Sequence, residues 1–198
     1  MTFNAEELEL KDRLSLIESM IAEGRRTTES WGWTFVLWGV AYYVAIAWST
    51  WGHGNIAWPV TMIAASALMG ALLSRRKRSQ PGTAVGRAMM AIWLAMGIST
   101  FAIMLSLGMS GRLDAHNSVA IVGAMLGAAN AASSMILKWK TQFACAIVWW
   151  AAAVAACFGS ETLTTVAFLA AIFFCQIVFG VYGMIAEARE RRQGASHA

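Results

Sequence analysis

The chain has 198 residues, 58% of them hydrophobic and only 13% charged, whereas soluble domains carry about 25% charged residues. A water-soluble fold of this size leaves much of its surface exposed and cannot hide so much apolar side chain, so composition excludes an ordinary soluble domain. The net charge of +4 lies in short clusters beside apolar stretches, which membrane topology and anionic lipid explain without nucleic acid as a partner.

Residues 1–30 read as a cytoplasmic segment, with an amphipathic helix over 5–23 and a short linker. Leu10, Leu14, Ile17 and Ile21 recur at 4-3-4 spacing on one face, and Gly24 ends the helix. Six acidic residues against Lys11 and Arg13 leave this helix at −4, so anionic lipid repels it. Its apolar face then needs protein. A second helix is one candidate, as a short coiled coil; the underside of the chain's own bundle, at Arg75, Arg76, Lys77 and Arg78, is the other. Docking on the same molecule is favoured, because so short a coiled coil is marginal when free. The charged N-terminus contains no apolar core of a signal peptide.

Six apolar spans follow, at about 31–51, 56–74, 85–109, 119–137, 143–159 and 162–186. Most are long enough to cross a hydrocarbon core of about 30 Å as helices. The predicted architecture is an all-α polytopic membrane protein, six transmembrane helices arranged as three hairpins, with 187–198 as a basic cytoplasmic tail. Of the 15 Lys and Arg residues, this threading puts all but Arg112 on one side. Basic residues flanking spans stay cytoplasmic, so both termini are expected there, with anionic lipid at the inner face.

Few polar groups lie at depth. Asn130 and Gln176 fall near mid-span, and an interhelical hydrogen bond between such amides is worth about 1 kcal/mol. Stitching helices together is their favoured role; the floor of a solute cavity, with Trp149 and Trp150, is the alternative. Gly123 and Gly127 form a GxxxG pair extended by Ala131, and Ser66 with Gly70 repeats the small-residue spacing. Such faces let helices approach closely, within the bundle or between subunits. The spans contain no midplane carboxylate for proton coupling and no His for an axial haem ligand.

Coordinating groups gather in the outer loops, where His53, Asp114, His116 and Glu161 form a candidate set for zinc or another divalent ion. Solvated loop residues are the simpler reading. Cys145, Cys157 and Cys175 read as buried small hydrophobes. No catalytic motif or cofactor fingerprint is present, so an enzyme is not expected, and no cofactor is assigned.

At WGWTFVLWGVAYYVAIAW (31–48), AWPVTMI (57–63), AIWLAMGIS (91–99) and ILKWKTQFACAIVWW (136–150), the chain resembles an uncharacterised, loose family of small bacterial six-helix integral membrane proteins. Its members carry an acidic N-terminal helix, an LWGW-like first span, a WP-containing second span and an ILKFK-like inner loop. This chain has LWGV at 37–40. The resemblance implies a bacterial inner (cytoplasmic) membrane location and the same topology; it carries over no catalytic or binding residue. Two functional classes fit. One is a non-enzymatic scaffold, sensor or partner subunit, in a homo-oligomer or with a membrane or cytosolic protein. The other is a small transporter or channel subunit for a hydrophobic or weakly polar solute.

Overall fold

The computed structural model describes residues 7, 9–16, 18–19, 32–52, 54–76 and 84–195, and the regular structure among them is helical, without a strand. Residues 9–16 form α1. The remaining elements are α2 (Gly32–Trp51), α3 (Gly54–Arg76), α4 (Ala84–Met109), α5 (Ala115–Leu137), α6 (Lys140–Phe158), α7 (Glu161–Ile172), a π-helical turn (Phe173–Val178) and α8 (Phe179–Ala195).

Five helical stretches are long and apolar enough to cross a membrane: Ile56–Arg75, Ala84–Met109, Ala115–Leu137, Lys140–Phe158 and Glu161–Arg189. The last runs through α7, the π turn and α8. Helix α2 has 20 residues, about 30 Å at 1.5 Å per residue. Much of its bulk comes from Trp33, Trp38, Tyr42, Tyr43, Trp48 and Trp51, whose N–H and O–H groups lower its hydropathy.

Helices α5 and α7 begin earlier than the apolar runs suggest, because each is started by a polar cap. Asp114 accepts from the Asn117 backbone N–H at 2.7 Å, and Ser160 Oγ accepts from Leu163 N at 3.3 Å. Each satisfies one of the amides that a helix N-terminus leaves open. Helix α5 stops at Lys138, which takes a left-handed φ of 50° and donates its N–H to Ser134 O.

In lipid the hydrophobic effect does not drive helix association; close packing does. The closest pair is α5 with α6, running antiparallel. A β-carbon on Gly123 would stand 2.9 Å from Trp149 O, and one on Gly127 would collide with the Trp150 indole. The GxxxG pair thus packs inside the bundle. Helix α7 lies beside α6, while α8 and the π turn lie against α2; α3 rests on α2, and α4 on α5. At the α2–α8 crossing, Gly32 and Gly180 stand backbone to backbone.

Aromatic side chains fill the spaces between these helices. Trp93 meets Phe35 edge-on at 5.4 Å, Phe35 meets Phe179 at 5.2 Å, and Phe179 meets Trp139 at 5.0 Å. This row joins α4, α2, α8 and the α5–α6 turn. A second row runs from Tyr42 through Phe168 to Trp149, at 6.1 Å per step, and joins α2, α7 and α6. Helices α3 and α4 contribute little to the core and turn most of their residues outward.

Candidate functional site

Asn130 and Gln176 are both inside the bundle, 1% and 3% exposed. No hydrogen bond joins them. Asn130 Nδ2 donates to Leu126 O, one turn back on its own helix, at 2.8 Å; its Oδ1 and the Oε1 of Gln176 have no partner. Gln176 lies in the π turn, against Gly39 of α2. Four more buried polar residues, Ser133, Ser134, Gln142 and Thr164, escape a sequence reading. Gln142 is 0% exposed, and neither atom of its amide is bonded. Ser133 Oγ accepts from Trp93 Nε1 at 3.2 Å. Thr164 stands at the other end of the bundle. Gln142 sits two residues after Lys140, where an interfacial position is the natural assumption.

Trp149 is fully buried against Phe168, while Trp150 covers Gly127 from a half-exposed position. Trp149, Asn130 and Gln176 are packed core, and Trp150 lies at the bundle's outer face. An open groove of about 410 Å³ lies between α3 and α4, lined by Met62, Ile63, Ser66, Ala67 and Phe101. A cleft of about 370 Å³ lies between the start of α5 and the end of α6. Neither is lined by Trp149, Trp150, Asn130 or Gln176. The π turn shifts the hydrogen-bonding pattern, and the Tyr43 hydroxyl donates to Leu169 O just before it, at 3.0 Å. Single π turns inside α-helices are rare and occur often at functional sites.

The loop residues are placed as follows. His53 lies outside the described residues. Asp114 is occupied as a helix cap, accepting from the Asn117 backbone at 2.7 Å and from Asn117 Nδ2 at 2.7 Å. Glu161 opens α7, where a carboxylate suits the positive end of the helix dipole. His116 donates from Nδ1 to Ala156 O at 2.8 Å. Among the described residues, no three of His, Cys, Asp and Glu stand together so as to hold a metal ion. Cys145 and Cys175 are buried, as their positions suggest, but Cys157 is exposed.

At the basic end, Arg75 is exposed and α3 closes at Arg76; Lys77 and Arg78 lie outside the described residues. In α1, Leu10 is 60% and Leu14 53% exposed, so this part of the apolar stripe is uncovered in the single chain. Ile17 and Ile21 lie outside the described residues. Glu9 and Arg13 form an exposed i,i+4 pair at 2.6 Å, which contributes at most a few tenths of a kcal/mol. On α3 the Ser66–Gly70 pair is not used in packing, and Gly70 faces open space.

No protein-family model matches the chain, no curated protein matches it, and no solved structure matches it.

Proposed function

We propose that the chain is a six-span membrane protein, with α2 as the first span and both ends on the basic, cytoplasmic side of a bacterial inner membrane. It acts there as a non-enzymatic scaffold, sensor or partner subunit. The observation that carries this reading is the contrast between a filled interior and an uncovered apolar stripe. Asn130 and Gln176 are sealed among packed side chains, away from both clefts, while Leu10 and Leu14 stand exposed. A bundle without a polar passage is a poor conduit; an acidic helix with a bare apolar face suits a protein contact. The partner is a second copy or another membrane or cytosolic protein.

The test is photo-crosslinking from position 14 in native membranes. An intermolecular adduct is expected, and loss of association on deleting residues 1–23. Adducts confined to the chain's own inner face would refute the partner role. Cysteine labelling at 75 and 112 in intact cells checks the topology, with only position 112 reachable from outside.

A second reading, a small transporter or channel subunit for a hydrophobic or weakly polar solute, is favoured by one observation: buried amide atoms without a partner, namely Asn130 Oδ1, both atoms of Gln142, and Oε1 of Gln176 in the π turn. Flux into proteoliposomes that falls on Gln142→Leu would support it over the scaffold.

A further inference from the structure

The cleft between the start of α5 and the end of α6 is lined by His116, Asn117, Ala120 and residues 156–159. A carbonyl oxygen can only accept, so the 2.8 Å contact with Ala156 O puts the proton on Nδ1 of His116. Thr164 Oγ1 lies 3.2 Å from the same nitrogen. Ala156 belongs to the last turn of α6, where backbone carbonyls lack helical donors. That contact accounts for one ring nitrogen alone. The other, Nε2, carries the lone pair and has no hydrogen-bond partner among the described residues. A backbone carbonyl that fixes Nδ1–H and leaves Nε2 free is the usual support for a metal-binding histidine.

The second donor is Cys157. It lines the same cleft and follows the carbonyl that His116 holds. Its thiol is free and exposed, unlike those of Cys145 and Cys175. The surroundings favour positive charge: the negative end of the α6 dipole opens here, and the Asp114 carboxylate offsets the positive end of α5. The Asn117 amide is engaged by Asp114, so it does not compete for the donors.

Donor number and softness select the metal. Structural zinc requires four ligands, yet no third His, Cys, Asp or Glu completes a group among the described residues. Thiolate and imidazole suit both Zn2+ and Cu+; of the two, Cu+ is the one that two donors in line can satisfy. We propose that this cleft binds Cu+ between Nε2 of His116 and the thiolate of Cys157. The site is separate from the α1 contact and from the buried amides, so it stands or falls apart from the scaffold reading.

The experiment uses the purified full-length protein in detergent, reduced and anaerobic. Cu+ is titrated in competition with a chromogenic chelator, and Ag+ serves as a redox-inert probe read by native mass spectrometry. One equivalent of each is expected, with a thiolate-to-metal charge-transfer band in the ultraviolet. Cys157→Ser abolishes the band and weakens binding at least about tenfold. His116→Gln, which keeps an N–H for Ala156 O but removes the ring lone pair, weakens it similarly. The double variant Cys145→Ser with Cys175→Ser binds as the parent does. Equal affinity in the parent and Cys157→Ser, or binding that follows Cys145 and Cys175, overturns the proposal. Tight Zn2+ binding lost in Cys157→Ser overturns the two-coordinate assignment.

Discussion

Gly32 and Gly180 hold α2 and α8 at backbone contact: a β-carbon on Gly32 would stand 2.6 Å from Gly180 O, and one on Gly180 would stand 2.7 Å from Gly32 O. The atoms in the way are backbone, so neither helix can yield by turning a rotamer. Overpacking costs about 1–3 kcal/mol in general. Gly180→Ala is expected to destabilise the fold within that range, and Gly180→Val more. Gly97 faces open space on α4; Gly97→Ala is expected to have the opposite sign, stabilising by about 0.5–1 kcal/mol through a less flexible unfolded chain. Denaturation of the three variants in mixed micelles reads both signs.

Gln142 hides a complete amide without a hydrogen bond. An unbonded buried polar group costs about 1–3 kcal/mol, so Gln142→Leu is expected to raise stability by about 1 kcal/mol or more. A fall in stability on the same scale would mean that water or a ligand engages the amide in the membrane.

Lys138 holds the left-handed position at the end of α5 with a φ of 50°. That conformation costs a residue with a β-carbon about 1 kcal/mol, and glycine very little. Lys138→Gly is therefore expected to stabilise by about that amount. The melting temperature in detergent should rise, with the helical circular dichroism signal unchanged.

Asp114 separates capping from ligation. As a cap it contributes about 1 kcal/mol, and Asp114→Ala is expected to lose that much with or without metal. A loss seen only when Zn2+ or Cu+ is present would return the carboxylate to the coordination sphere.

The long helices could be read from composition because bilayer thickness dictates their length, and the cap residues Asp114 and Ser160 explain why α5 and α7 begin earlier than the apolar runs. The Gly123–Gly127 ridge was visible as a motif, but its partners Trp149, Trp150 and Ala153 were not, since spacing on one helix says nothing about which other helix meets it. The same limit hid Gly32 against Gly180. Gln142 was missed because proximity to Lys138 and Lys140 suggests an interface, whereas the turn there is covered by Trp139 and Phe179. His116 stands out among the loop residues, but its hold on Ala156 O is a matter of helix packing that no spacing reveals. Carboxylates in loops look like ligands until one is seen capping a helix, and Cys157 reads as interior although it is exposed. The π turn has no residue signature; it is a property of hydrogen-bond register.

That register has a consequence for everything after it. A π turn accommodates one more residue than an α-helix does over the same rise, and each residue advances the chain by about 100°. Phe179 and Gly180 point at α2 because of this phase slip. Deleting one residue between 173 and 178 would remove that extra residue, and a regular helix would then carry both to the same face of α2. Adding one alanine directly after Val178 would instead swing both by about 100°, and the fold would lose its α2–α8 seam although no side chain in that seam had been altered.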